Sequence, residues 1–170
     1  MKKAIYIVLI ALVLGACDDG FAELNVNPTR PVQVDISTKL TAVQLYTSGT
    51  RYENWRANLI YSSTMMQHFA TLAGYWVGDK YTWNAPYASS LIDRYYGSAV
   101  KNVEDMLVQV EEEGLSPAMH AIVRIQRVLI YHRLTDLHGD IPYSEAGKAV
   151  IEGILKPKYD AQSAIYADMS

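Results

Sequence analysis

The run SLIDRYYGSAVKNVEDMLVQVEEEGLSPAMHAIVRIQRVLIYHRLTDL, residues 90–137, decides the fold. Its first half places Leu91, Tyr95, Ala99, Val103, Met106 and Val110 at spacings of four and three, the rhythm of one buried helix face. Glu111 to Glu113 then precede Gly114. Three carboxylates oppose the dipole at a helix C-terminus, so they read as a solvated end, and the glycine as the stop. Ser116 offers an N-cap, and Pro117 suits the first position of a new helix. That helix is expected from Ala118 to about Leu137, with Ile122, Ile125, Val128, Leu129 and Leu134 as its apolar set. The break is short, so the two helices should lie antiparallel as a hairpin. Their combined length is near that of one tetratricopeptide unit, although the sequence signature of that repeat is absent.

Working upstream, Leu40, Val43 and Leu45 mark a first short helix from Ser37. Thr50-Arg51-Tyr52-Glu53 has the form of a capping box, whose hydroxyl and carboxylate can satisfy the free N–H groups of a helix start. The helix it opens is expected to reach about Leu72, with Trp55, Leu59, Met66 and Phe69 near one face. Residues 74–87, GYWVGDKYTWNAPY, break the pattern with two glycines, a proline and five aromatics. Ser90 to Asp93 is a second capping-type start. Working downstream, residues 139–158 read as a long loop holding Pro142, Gly147, Gly153 and Pro157. Gly139 ends the hairpin, Pro142 fixes the exit of the chain, and Asp140 is placed to cap local amides. Asp160 is expected to cap a last helix, whose Ile165 and Met169 would have nothing to pack on. The expectation is therefore an N-terminal piece of something longer.

The start, MKKAIYIVLIALVLGAC, pairs Lys2 and Lys3 with an unbroken apolar stretch from Ala4 to Leu14. A spanning helix needs about 20 apolar residues. This stretch is about half that, and Asp18 and Asp19 follow at once, so residues 1–16 read as an export signal. Leu14-Gly15-Ala16-Cys17 puts small residues before the only cysteine of the chain, as in a bacterial lipobox. Cys17 is thus the expected lipidation site, its thiol lipidated and its residue the new N-terminus, with palmitate among the attached chains. Residues 17–36, with Asn25, Asn27-Pro28 and Pro31, read as a tether, and residues 37–170 as the N-terminal part of a helical domain, expected to be incomplete at its C-terminus. With its only thiol consumed by lipid, the chain has no disulfide to rest on, and the fold depends on its core. Half the residues are apolar, enough for one. A net charge of -3 gives no electrostatic footprint for nucleic acid.

Three segments taken together resemble one family. They are Cys17-Asp18-Asp19-Gly20-Phe21 with Glu23-Leu24-Asn25-Val26-Asn27-Pro28; Gly139-Asp140-Ile141-Pro142-Tyr143-Ser144-Glu145-Ala146; and Lys156-Pro157-Lys158-Tyr159-Asp160 with Gln162 and Ile165-Tyr166-Ala167-Asp168-Met169. In this order they look like the SusD/RagB outer-membrane lipoproteins of Bacteroidetes, on the SusD-like branch. The resemblance implies an all-α fold of tetratricopeptide-like helix hairpins with long loops. It implies a lipid-anchored protein on the outside of the outer membrane, beside a SusC-type TonB-dependent transporter. Such proteins bind nutrients, mostly oligosaccharides and sometimes peptides, and act as a lid over the channel. They are not enzymes and need no cofactor. Members are much longer than this chain, and much of their ligand surface comes from the later half. His138 stands where tyrosine is commoner.

The aromatic loop is the candidate site. Sugars present apolar C–H faces on which an indole or phenol ring stacks while its polar rim meets hydroxyls. Tyr75, Trp76, Tyr81, Trp83 and Asn84 supply that mix, against the plainer reading that these rings pack the loop onto its neighbours. His132 and Asp136 stand one helical turn apart, with His138 and Asp140 close behind. A helix C-terminus favours histidine without any metal, and no metal is expected. No H-E-x-x-H, G-x-S-x-G or phosphate-loop pattern occurs, and no enzyme activity is expected. Capture of peptides on the same scaffold, and a purely structural helical lipoprotein, are the alternatives.

Overall fold

The computed structural model describes residues 34–49 and 54–170. Residues 1–16, Cys17, the tether as far as residue 33 and the Thr50–Glu53 capping box lie outside the described residues; the tether's expected end is corrected, because Asp35 caps the first helix and Ile36 begins it, buried. The body spans Asp35–Ser170.

Helix α1 (Ile36–Ser48) opens on Asp35, whose carboxylate accepts the Ser37 N–H at 2.8 Å. Ile36, Val43 and Thr47 are buried and Leu40 packs against the core. Leu45, one of the three residues that marked this helix, is exposed: the face runs 36, 40, 43, 47, and 45 falls on the opposite side. The next helix departs from the expectation in kind. Residues Asn54–Ser62 form a π-helix that ends in a single α-turn, α2 (Ser63–Met65). It stops well short of Leu72, and Gln67 turns the chain with φ 58°. The widened turn buries Ala57, Ile60 and Thr64 and leaves Leu59, Met66 and Phe69 exposed.

The hairpin forms as read. Its first arm starts one turn earlier than Ser90, at α3 (Ala85–Ala88). It continues through α4 (Ser90–Arg94), a π segment (Tyr95–Val100) and α5 (Lys101–Glu112). All six residues of the predicted face are buried. In an α-helix each four-residue step overshoots a turn by about 40°. The wider π turn absorbs that drift, so Leu91, Tyr95, Ala99 and Val103 stay aligned. Gly114 (φ 59°) closes the arm: its N–H reaches the Glu111 carbonyl, and the Leu115 N–H reaches Val110. Ser116 accepts the Met119 N–H at 3.3 Å and Pro117 begins α6 (Pro117–His138).

Helix α6 is rotated from the expected face. Val123, Ile130, Tyr131, Leu134 and Thr135 are buried, while Ile122, Ile125 and Leu129 are exposed. Arg127 lies on the inner side, where its Nε donates to the buried Glu104 of α5 at 2.8 Å. The Tyr131 hydroxyl donates to the same oxygen at 2.9 Å. The Arg127 guanidinium sits 4.2 Å from the Tyr143 ring centroid. Glu104 holds the guanidinium charged against the cost of its burial.

Residues 139–160 are more ordered than a plain loop. Strands β1 (Ile141–Pro142) and β2 (Tyr159–Asp160) pair antiparallel, Ile141 opposite Asp160. Asp160 does not cap the last helix. Its Oδ2 accepts the N–H groups of Tyr143 (3.3 Å) and Ser144 (2.8 Å) and the Ser144 hydroxyl (2.9 Å). Asp140 takes over the capping, accepting the N–H of Gln162 at 3.0 Å at the start of α7 (Gln162–Met169). Gly147 (φ 74°) passes so close to Glu104 that a Cβ there would lie 2.9 Å from its Cγ. Ile165 and Met169, expected to lack partners, pack on the core, Ile165 fully buried. Among the described residues no helix is long and apolar enough to cross a membrane.

Candidate ligand-binding site

The aromatic segment is held by polar contacts and one tight approach. A 3₁₀ turn, Gly78–Lys80, lies against the π-helix: a Cβ on Gly78 would meet the Thr64 hydroxyl at 2.0 Å and the Tyr61 carbonyl at 2.7 Å. No larger residue fits there, which sets the height of the loop. The Asp79 carboxylate accepts the Thr71 N–H at 3.2 Å, and Lys80 donates to the Trp76 carbonyl at 3.2 Å. Tyr81 follows in the left-handed region, φ 51°.

This bracing sorts the five candidates. Trp83 is 75% exposed and lines a cavity of about 330 Å³. Tyr75 and Tyr81 are also exposed but lie outside its lining. Trp76 is half-buried, edge-on to Tyr75 with centroids 6.3 Å apart, and its Nε1 is buried without a partner. Asn84 is a helix cap, its side-chain oxygen accepting the Tyr87 N–H at 3.2 Å. One of the five thus meets the cavity, and one has a structural task.

The cavity lies between the π-helix, α3 and the end of α6. Tyr61, Tyr87 and His138 join Trp83 in its wall, over a floor that includes Ala57, Met65 and Leu91. Tyr87 was legible as the fifth aromatic of the loop, one helical turn beyond Trp83. Tyr61 had no sequence signal, because its direction depends on π winding. His138 read as a dipole-favoured helix end. The structure instead half-buries it, which holds its ionisation below the usual histidine range, with Asp93 pulling weakly the other way. Its Nε2 is buried with no hydrogen-bond partner. A second cavity, about 290 Å³, shares Leu91 and Leu137 with the first and is lined by Asn54, Asn58, Arg133 and Asp136. His132 Nδ1 lies 3.2 Å from Asp136, whose other oxygen accepts the Tyr166 hydroxyl. Among the described residues no three histidine, cysteine or acidic side chains converge as a metal set.

A family model described as "SusD-like_2: Starch-binding associating with outer membrane" matches residues 28–170. This chain belongs to the SusD-like family. Two solved structures agree with the assignment. A chitin-binding protein is 36% identical, with a TM-score of 0.70 over 79% of this chain and 28% of its own. A SusD-like protein of Bacteroidetes AC2a is 28% identical, with a TM-score of 0.63 over 79% of this chain and 24% of its own. The SusD-like chain therefore spans about a quarter of the length of these structures. No curated protein matches it. The all-α SusD-like fold expected from the sequence is the one observed.

Proposed function

We propose that this chain captures nutrient oligosaccharides at the cell surface and passes them to a SusC-type TonB-dependent transporter, held to the outer membrane by a lipid on Cys17. The observation that carries the reading is the cavity wall: an exposed indole, Trp83, beside two further phenol rings, Tyr61 and Tyr87. Such a wall takes the C–H face of a sugar ring, while hydroxyl-bearing rims meet its polar edge. The family description, starch-binding and associated with the outer membrane, and the chitin-binding neighbour support a glycan over a peptide. Binding releases the ligand chemically unchanged, as handing-on to a channel requires.

Titration calorimetry with starch- and chitin-derived oligosaccharides tests the reading. Trp83→Ala should weaken binding at least tenfold, about 1.4 kcal/mol, with an unchanged melting temperature. Binding equal to wild type in that variant refutes the site. Cys17→Ser should move the protein from the membrane to the soluble fraction; unchanged fractionation refutes the anchor.

A further inference from the structure

The two adjoining cavities differ in chemistry, and the difference narrows the ligand. Among the described residues no Asp, Glu, Lys or Arg lines the Trp83 cavity. Its floor is aliphatic, from Ala57, Met65 and Leu91, and its sparse polar groups are the rims of Tyr61, Tyr87, Ser62 and His138. A plain hexose ring presents hydroxyls around its edge, and an apolar floor leaves those hydroxyls unpaired at a cost. An acetamido group suits it better: one methyl to bury, one carbonyl and one N–H to pair. His138 offers the unpaired Nε2 for that amide. The neighbouring cavity reverses the pattern. Asn54, Asn58, Arg133 and Asp136 line it, and the Asn58 amide donates to Asn54 at 2.9 Å. Carboxamide and guanidinium groups of this kind hold sugar hydroxyls. Leu91 and Leu137 line both, so the two spaces adjoin across these side chains.

Resting on the glycan reading above, we propose that the two cavities are consecutive subsites for an N-acetylated hexosamine chain. One acetamido methyl enters the Ala57–Met65–Leu91 floor under the Trp83 ring, and the hydroxyl edge of the next sugar lies against Asn54 and Asn58. Within the Trp83 cavity, which has no charged lining among the described residues, the ammonium of a deacetylated sugar would be desolvated without a partner.

The test is calorimetry of the 170-residue chain with four tetrasaccharides: chitotetraose, fully deacetylated chitosan tetraose, cellotetraose and maltotetraose. Chitotetraose is expected to bind at least tenfold tighter than the other three. Met65→Gln, which places an amide in the floor, should shrink that preference below threefold. Asn58→Ala should weaken chitotetraose severalfold and leave the single sugar N-acetylglucosamine unchanged. Far-ultraviolet melting confirms that both variants fold. Equal binding of cellotetraose or maltotetraose overturns the acetamido assignment and leaves glycan capture standing. Equal losses for the monosaccharide and the tetrasaccharide in Asn58→Ala overturn the two-subsite arrangement. Binding of none of the four overturns both this inference and the glycan reading.

Discussion

Replacing Arg127 by Met would expose how the hairpin is locked. Glu104 is 8% exposed at its side chain and has two donors on one oxygen, Arg127 Nε at 2.8 Å and the Tyr131 hydroxyl at 2.9 Å. Methionine keeps most of the arginine stem but removes the charge, leaving a buried carboxylate with one neutral donor. Breaking a buried pair from one side costs about 3–5 kcal/mol. The variant also loses the guanidinium packed between the Tyr131 and Tyr143 rings, 5.0 and 4.2 Å from their centroids. For a body of this size the melting temperature should fall by about 10–20 °C. Urea denaturation followed by circular dichroism at pH 7.5 measures the free energy directly. The double variant Arg127→Met with Glu104→Gln removes the orphaned charge and should regain about half of the loss. A single-variant cost below about 1 kcal/mol, or a double variant no more stable than the single, refutes the claim that this pair fixes the rotation of α6.

Gly147→Ala should destabilise more than Gly153→Ala. Both have φ above +70°, a backbone cost of about 1–2 kcal/mol, but only a Cβ at 147 collides with Glu104, while 153 faces open space; equal urea midpoints would contradict this. Asp160→Asn should weaken the fold by about 1–3 kcal/mol at pH 7. The Ser144 and Tyr143 N–H groups hold the native carboxyl below its ordinary range. That stability is therefore full above about pH 4 and lost as pH falls through the depressed native value. The gap to wild type should narrow as pH falls below about 4, and a constant gap would refute the assignment. His138 carries the opposite burden: burial depresses its ionisation, so the native state resists protonation and wild type should lose stability as pH falls below about 6.5. His138→Gln should flatten that slope between pH 7 and 5 in thermal melts, and an unchanged slope would place its origin elsewhere.

The legible parts of the fold are those where one residue pattern has one geometric solution. The face from Leu91 to Val110 is apolar on one side only, and every member is buried. Helix α6 is apolar on more than one side. Its periodicity fits a face of Ile122, Ile125 and Leu129 as well as one of Val123, Ile130 and Leu134. The choice falls to Arg127, a charged residue that hydropathy places outside and Glu104 draws in. The same holds at Asp160 and Asp140. Asp160 reads as the cap of the last helix but instead accepts the Tyr143 and Ser144 N–H groups, and Asp140, which reads as a local cap, reaches Gln162; both targets lie across the β1–β2 pairing, which a two-residue strand does not announce. In the candidate site, Trp83 was legible because exposed aromatics cluster in one loop. Tyr61 was not, because an α-helical reading of residues 54–62 aims it differently.

The π winding links these points to function. A helix that bonds five residues back has a wider bore and weaker packing, and such segments recur where a side chain must be re-aimed. Here the described chain has two, Asn54–Ser62 and Tyr95–Val100. The second keeps the Leu91–Val103 face in register and so serves the core. The first supplies Ala57 and Tyr61 to the cavity floor and wall, and offers the Tyr61 carbonyl surface on which Gly78 rests. That contact in turn fixes the loop that carries Trp83. The core is therefore locked by an ion pair and a close-packed glycine, and the cavity is built from irregular winding and a braced loop. Substitutions at Glu104, Arg127 and Gly147 therefore test the fold, and those at Met65 and Trp83 test the proposed site.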